Sequence, residues 1–279
     1  MATAVICEFN PFHNGHKYLL ESAKNVLKEP VIAIMSGSFT QRGEVAVCDK
    51  FVRAKSALEN GADLVLELPV VFSLSGAEGF AKAGVAIASA FECTNHLAFG
   101  SESGDCELLK KSANAVCDER VQALVRDGMK NGGYYPRELE NAVKTVFGDE
   151  ISSVLCEPNN ILGVEYIKAL NGTGVEPFSV ARTGVAHDSR IAGEGFASAS
   201  HIREMLRNGE NAKKYAPYIP DEITFPENLD RALLYRLRTM TREDIAKLPD
   251  VGEGLENRIA DAAVRCSASS EIADLVKTK

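Results

Sequence analysis

Short apolar runs alternate with longer helical patterns through the first hundred residues, and this alternation constrains the fold most. The runs cover residues 4–6, 31–35, 64–68 and 96–99. Strands that are apolar along their whole length are buried on both faces, which is typical of parallel strands covered by helices. With right-handed crossovers, the pattern predicts an α/β fold, a Rossmann-like doubly wound parallel sheet that binds ligands at the carboxyl ends of its strands.

The helical segments between these runs have recognisable boundaries. The first is expected to bury one face, made of Leu19, Leu20, Ala23, Val26 and Leu27. Asp49 is the expected N-cap of the second helix, and Gly61 is expected to end it. Its predicted apolar face comprises Val52, Ala54, Ala57 and Leu58. A helix of small residues is expected over residues 77–90.

The remaining segments suggest the domain organisation. Residues 103–171 are mainly helical in pattern, residues 175–180 resemble a later strand, and residues 198–206 a helix. We expect one Rossmann-like domain over residues 1–216, with a helical insertion around 103–171. Residues 217–279 are expected to form a linker and a small all-helical segment, shortened at its C-terminal end.

Composition excludes several classes of protein. The net charge of −8 gives no broad basic surface, so nucleic acid would be held by a local patch. Seven dispersed cysteines without a CxxC pair are typical of reduced thiols rather than of a zinc ribbon or a disulfide scaffold. With no signal peptide and no apolar run long enough to span a membrane, we expect a cytoplasmic protein.

A polar turn between the first strand and the first helix carries the clearest chemistry. Its sequence reads Glu-Phe-Asn-Pro-Phe-His-Asn-Gly-His over residues 8–16. The helix that follows directs its first amides and the positive end of its dipole at a phosphate, and Gly15 allows close backbone approach. His13 and His16 can stabilise charge that develops during phosphoryl displacement. The alternative is that both histidines lie in an ordinary surface turn.

The chain resembles the bacterial tRNA(Met) cytidine acetate ligase family of HxGH nucleotidylyltransferases. The similar segments are collinear and span nearly the whole chain: residues 7–20, 35–44, 49–51, 61–69, 99–102, 158–163 and 198–203. The resemblance implies activation of acetate by ATP to acetyl-adenylate with release of pyrophosphate. It further implies acetyl transfer to N4 of the wobble cytidine of elongator tRNA(Met), with Mg²⁺ accompanying ATP.

By this resemblance, His13 and His16 are catalytic and a set of residues contacts ATP. The set comprises Cys7, Glu8, Phe9, Asn10, Pro11, Phe12, His13, Asn14, Gly15, His16, Lys17, Tyr18, Leu19, Leu20, Gly100, Asn159, Arg182, Ser200 and Arg203. Ser198, Ser200 and Arg203 resemble an element that related enzymes place against the β- and γ-phosphates. Arg182 and Arg203 could each grip phosphate with a guanidinium fork.

Structural alternatives remain for several of these positions. Gly100 can simply end a strand, Asn159 and Ser198 or Ser200 can cap helices, and Arg203 can be a solvated helical arginine. Arg190 lies near enough in sequence to compete with Arg182. Arg42 and Lys50 suit either a lid over phosphates or a plain surface, whereas Asp63 and Glu67 are expected to be structural rather than Mg²⁺ ligands.

Two other functions remain open on the sequence alone. A small-molecule nucleotidylyltransferase would share the HxGH site and transfer AMP to a phosphorylated metabolite, and a regulatory module would bind nucleotide without turnover. Residues 248–259 are compatible with a helix-hairpin-helix turn facing nucleic acid or with a plain helical hairpin.

Overall fold

A five-stranded parallel sheet forms the centre of the fold in a computed structural model that describes residues 1–182 and 195–277. The strand order is β3-β2-β1-β4-β5, and every pair of neighbours is parallel. The strands are β1 Ala2–Cys7, β2 Val31–Ser36, β3 Leu64–Leu68, β4 Thr94–Ser101 and β5 Glu176–Ala181. The predicted Rossmann-like α/β fold is confirmed.

Helices connect the strands and cover both faces of the sheet. The helices within residues 1–170 are α1 Asn14–Leu27, α2 Lys50–Glu59, α3 Val70–Ser73, α4 Ala77–Ala90, α5 Cys106–Cys117, α6 Glu119–Lys130, α7 Tyr135–Phe147, α8 Asp149–Ser153 and α9 Pro158–Leu170. The helices within residues 195–277 are α10 Ala199–Arg207, α11 Asp230–Thr239, α12 Arg242–Ile245, α13 Leu255–Arg265 and α14 Ser269–Val276. Helix α4 has the bounds that the sequence predicts.

Two core layers lie on opposite faces of the sheet. Because successive side chains of a strand point to opposite faces, β1 contributes Ile6 to one layer and Val5 to the other. The Ile6 layer packs against α4, α5 and α9, and the Val5 layer against α1 and α2.

The predicted buried faces of α1 and α2 are partly wrong. Val26 of α1 is 63% exposed and Leu58 of α2 is 47% exposed. The buried side of α2 consists instead of Arg53, Ser56 and Ala57. Arg53 occupies a core position because backbone carbonyl groups accept hydrogen bonds from its guanidinium, which satisfies the buried charge.

Strand β3 also differs from the prediction of a strand buried on both faces. It lies at the edge of the sheet, paired only with β2, and its first residue, Leu64, is 40% exposed. The expected cap of α2 is confirmed, since the Asp49 carboxylate accepts a hydrogen bond from the Phe51 amide.

The chain divides into two compact units, residues 1–223 and 224–279. Within the described part of the second unit the regular elements are helical, as the sequence predicts. The turn between α12 and α13 contains left-handed backbone at Asp250, Glu253 and Gly254, and the two interpretations of this hairpin remain open. All seven cysteines are free. Across residues 1–182 and 195–277, no helix combines the length and apolarity needed to cross a membrane.

Candidate functional site

A cavity of about 290 Å³ opens at the carboxyl ends of β1, β4 and β5, beside the start of α1. Ligands of parallel α/β sheets bind at this edge. Most of the residues that the sequence assigns to nucleotide line it, namely Cys7, Glu8, Phe9, Asn10, His13, Gly15, His16, Tyr18, Leu19, Gly100, Asn159, Arg182, Ser200 and Arg203. The structure therefore brings residues from both ends of the first unit into one cleft.

Five residues of the predicted set lie outside this lining. They are Pro11, Phe12, Asn14, Lys17 and Leu20. Phe12 and Leu20 are buried in the Val5 layer, where they support the turn from within. The Asn14 side-chain amide donates to the carbonyl groups of Gly195 and Lys214, at 2.7 and 3.0 Å. Asn14 thus anchors the start of α1 to the segment that follows β5.

His13 and His16 hold each other through a reciprocal cap at the start of α1. The Gly15 amide donates to Nδ1 of His13 at 3.0 Å, and the His13 amide donates to Nδ1 of His16 at 3.3 Å. The two rings stack with their centroids 3.7 Å apart. Because each Nδ1 accepts a hydrogen bond, a neutral ring must carry its proton on Nε2. The backbone thereby selects one tautomer for both histidines.

The surroundings keep both imidazoles uncharged. Burial, with smaller effects of Arg182 and Arg203, lowers the pKa of His13 from 6.5 to about 3. Burial and the neighbouring His13 ring lower the pKa of His16 well below its usual value. The pair therefore supplies two neutral N–H donors at pH 7, and the positive charge in the cleft comes from arginine.

Gly15 is required here for a reason that differs from the one the sequence suggests. A Cβ on Gly15 would lie 2.9 Å from Cε1 and 3.1 Å from Nδ1 of His13. These distances are shorter than ordinary van der Waals contacts, so any larger residue would displace the imidazole. The absence of a side chain at Gly15 leaves space for the His13 ring, whereas the sequence predicted that this space would be used by the ligand.

Arg53 braces the turn and was not identified from the sequence. It is 1% exposed, and its guanidinium donates to the backbone carbonyl groups of Glu8, Gly37 and Cys48. These carbonyl groups lie in the segments that follow β1 and β2, so one buried cation ties both to α2. An arginine among apolar helix residues gives no distinctive sequence signal.

A short hairpin after β2 supplies further cavity residues. Phe39 and Val45 form an antiparallel bridge, and Arg42 at the tip lines the cavity. The Gln41 amide donates to Glu8 Oε1 at 2.6 Å, which joins this hairpin to the polar turn. Burial raises the pKa of Glu8. Of the two suggested lid residues, Arg42 therefore lies at the cavity.

Lys50, Asp63 and Glu67 lie outside the cavity lining. Lys50 Nζ contacts Glu67 Oε2 at 2.6 Å. The Asp63 carboxylate accepts a hydrogen bond from the Val31 amide at 2.7 Å and pairs with Lys24. Both acids thus join neighbouring elements, in agreement with the structural role expected for them.

Arg182 follows β5 and lies beside Gly100 of β4. Gly100 is inside its strand rather than after it, and a Cβ there would be 3.5 Å from Cγ of Arg182. The Arg182 amide donates to the Ser101 carbonyl at 2.9 Å, which fixes the backbone. Its Nε is buried and has no hydrogen-bond partner among the residues described. A buried guanidinium N–H without an acceptor indicates a place for an anion.

Glu102 orients the side chain of Asn159. The sequence did not predict this contact. Its carboxylate accepts from Nδ2 of Asn159 at 2.6 Å and from the Asn160 amide at 2.9 Å. The N-cap of α9 is Glu157, so the interpretation of Asn159 as the cap is wrong. Since Asn159 Nδ2 donates to Glu102, the amide oxygen remains available as an acceptor for a ligand.

The start of α10 completes the polar side of the cavity. Ser198 is its N-cap, accepting from the His201 amide at 3.1 Å, and its Oγ lies 3.0 Å from that of Ser200. Arg203 donates through Nη1 to the Asn10 carbonyl at 2.8 Å, which links α10 to the polar turn. Arg203 is therefore not merely a solvated residue. Arg190 lies outside the described residues.

Comparisons with a family model and with known protein sequences indicate the same family. A family model described as HIGH Nucleotidyl Transferase matches residues 1–279. A tRNA(Met) cytidine acetate ligase of Thermoanaerobacter sp. (strain X514) is 38% identical, over 99% of this chain and 73% of that protein. The protein of the same name from Clostridium tetani is 35% identical, over 99% of this chain and 74% of its own length.

Solved structures agree with the sequence comparison. The crystal structure of Thermotoga maritima TmcAL in its apo form I matches with a TM-score of 0.91 and 33% identity, covering 100% of this chain and 72% of that chain. The same protein bound with alpha-thio ATP matches with a TM-score of 0.89, covering 100% of this chain and 71% of that one.

Proposed function

The chain belongs to the tRNA(Met) cytidine acetate ligases within the HIGH nucleotidyl transferase family, and we propose that it acetylates tRNA with acetate and ATP. The acceptor is N4 of the wobble cytidine of elongator tRNA(Met). The observation that supports this most strongly is the pair of neutral imidazoles at the start of α1, in one cavity with Arg182 and Arg203.

In the first step, a carboxylate oxygen of acetate attacks the α-phosphorus of ATP. An oxygen–phosphorus bond forms, the bond from the α-phosphorus to the bridging oxygen breaks, and pyrophosphate leaves with the electron pair. No proton is transferred, so the site needs hydrogen-bond donors and positive charge rather than a general base. The two imidazoles and the arginines supply this combination.

The neutral state of the histidines suits this chemistry. Their Nε2–H groups would donate to phosphate oxygens, where negative charge grows during displacement. The donors are already oriented by the cap of α1, so no reorganisation is needed as the reaction proceeds. Arg182 would use its unpaired Nε for phosphate, and the α1 amides would add the positive end of the helix dipole.

Mg²⁺ would accompany the triphosphate. Within the described part of the chain, no three His, Cys, Asp or Glu side chains are grouped so as to hold a metal ion. Mg²⁺ in ATP sites is commonly held by phosphate oxygens and water with few protein ligands. We therefore assign its coordination to the nucleotide and solvent, and its chemical contribution to neutralising the phosphates.

In the second step, N4 of cytidine attacks the acyl carbon of acetyl-adenylate. The nitrogen–carbon bond forms, the carbon–oxygen bond to AMP breaks with the electron pair going to AMP, and the proton that N4 loses passes to the departing phosphate or to water. The cytidine must leave its stack to reach the cavity, as in other enzymes that modify a base.

The decisive experiment is mass spectrometry of tRNA incubated with the protein, ATP and isotopically labelled acetate. We expect the label on the cytidine at the wobble position of elongator tRNA(Met), dependent on ATP. Exchange of labelled pyrophosphate into ATP should require acetate. Exchange that requires a phosphorylated metabolite instead would contradict the proposal and favour a small-molecule nucleotidylyltransferase.

A further inference from the structure

The cavity has an apolar wall that phosphate binding does not use. Its main side chains are Ile6 of β1, Phe80 of α4, Phe99 of β4 and Tyr166 of α9. All four belong to the Ile6 layer of the core. His16, by contrast, packs against Phe9 and Phe12 of the opposite layer. The apolar wall and the histidine pair therefore approach the cavity from different faces of the sheet.

Tyr166 places one polar atom in this wall. The residue is 2% exposed, and its ring centroid lies 5.5 Å from that of Phe99. Tyr166 lines the cavity, and its hydroxyl group is not among the fully enclosed polar atoms that lack a partner in the described part of the chain. Burial raises the pKa of Tyr166, so the hydroxyl stays protonated and can donate. A ligand oxygen in the cavity can therefore accept a hydrogen bond from this hydroxyl group.

Two glycines hold the wall rigidly from behind. A Cβ on Gly84 would lie 2.5 Å from Cδ1 of Ile6, and a Cβ on Gly163 would lie 2.8 Å from Cε2 of Phe99. Ile6 and Phe99 thus pack directly on the helix backbones of α4 and α9. Neither side chain can retreat to admit a larger ligand, because close-packed interiors leave little free volume.

Resting on the proposed function, we infer that this wall is the acyl-group site and that it limits the substrate to a two-carbon carboxylate. The methyl group of acetate would contact Phe80 and Phe99, while the Tyr166 hydroxyl donates to one carboxylate oxygen. The second oxygen is then free to attack the α-phosphorus. Tyr166 acts by binding and orienting the acid, and the histidine pair acts on the phosphate.

The role of the hydroxyl is tested with Tyr166→Phe, which keeps the ring and its packing. A hydrogen bond to a charged group contributes enough that its loss should raise KM for acetate by about tenfold or more. KM for ATP should remain unchanged, as measured by acetate-dependent exchange of pyrophosphate into ATP. An unaltered KM for acetate would overturn the assignment of Tyr166, and equal increases for both substrates would indicate a general structural effect instead.

The size limit is tested with Phe80→Leu, which removes roughly the volume of one methylene group. Discrimination of one methylene in an apolar pocket amounts to about 10- to 200-fold. The preference for acetate over propionate, as a ratio of kcat/KM values, should therefore fall by about tenfold in this variant. Leu97→Val is the matched control, since Leu97 is buried in the same layer but does not line the cavity. It should leave the ratio as in the wild type.

These outcomes separate the two proposals. If the unmodified protein shows no acetate-dependent exchange, the proposed function itself fails. If it uses acetate but Phe80→Leu and Tyr166→Phe leave both the acyl preference and KM for acetate unchanged, the acyl site lies elsewhere while the function stands. Should Phe80→Leu fail to fold, the result for Tyr166→Phe still decides the hydrogen bond.

Discussion

Replacement of Gly15 by alanine should lower the activity of the enzyme while leaving its stability almost unchanged. The new Cβ would lie 2.9 Å from Cε1 of His13, whereas ordinary contacts begin near 3.4 Å, so the ring must move by about 0.5 Å or tilt. Either movement also disturbs the 3.0 Å hydrogen bond from the Gly15 amide to Nδ1 of His13. The change therefore acts on the orientation of one of the two imidazoles that we propose to be catalytic.

The expected loss of rate follows from that displacement. Misplacement by about 1 Å can cost about 100-fold, and loss of one oriented donor costs about 100- to 1000-fold. For a shift of about half that distance we expect kcat to fall about 10- to 100-fold. Stability should change little, because alanine favours a helix over glycine by about 1 kcal/mol while local overpacking costs about 1–3 kcal/mol.

The assay is acetate-dependent exchange of pyrophosphate into ATP, combined with urea unfolding of the same samples. Gly252→Ala is the matched control, since a Cβ there would meet no atom within 4 Å and Gly252 does not line the cavity. It should keep wild-type kcat. A Gly15→Ala protein that is folded and has full kcat would refute the claim that Gly15 sets the position of His13.

Three further perturbations test the site. The pKa of His13 is about 3 in the folded chain against 6.5 when unfolded, so between these pH values His13 should lower the free energy of unfolding by about 1.4 kcal/mol for each unit that the pH falls, in addition to the effect of His16. The free energy of unfolding of His13→Asn, measured with urea, should therefore depend less steeply on pH. Glu102→Ala should raise KM for ATP several-fold but not KM for acetate in exchange kinetics, because Asn159 loses its orientation. Arg182→Lys should raise KM for ATP by about tenfold, measured in the same assay, because lysine lacks the planar fork; an unchanged KM would contradict phosphate binding there.

Much of the fold could be predicted because its signals are local. Apolar runs located all of the first four strands, Asp49 identified a helix start, and the small residues 77–90 gave the bounds of α4. The errors occurred where tertiary contacts override periodicity. The exposure of Leu64 depends on β3 being an edge strand, and the burial of Arg53 depends on carbonyl groups from other segments. A single sequence does not reveal either relation.

The same distinction between local signals and tertiary contacts applies to the candidate site. It explains which site residues could be predicted from the sequence. His13 and His16 lie three positions apart within one turn, so the covalent chain itself keeps them close and the pair is visible as a motif. Glu102 and Asn159 are 57 positions apart, and the function of each depends on the other. Tyr166 is as buried as any core aromatic residue, and only the folded chain shows that it lines the cavity. The residues that we propose to bind phosphate could therefore be predicted from the sequence, because most of them lie at the start of one helix. The residues that we propose to select the acyl substrate lie on separate strands and helices, and only folding brings them together.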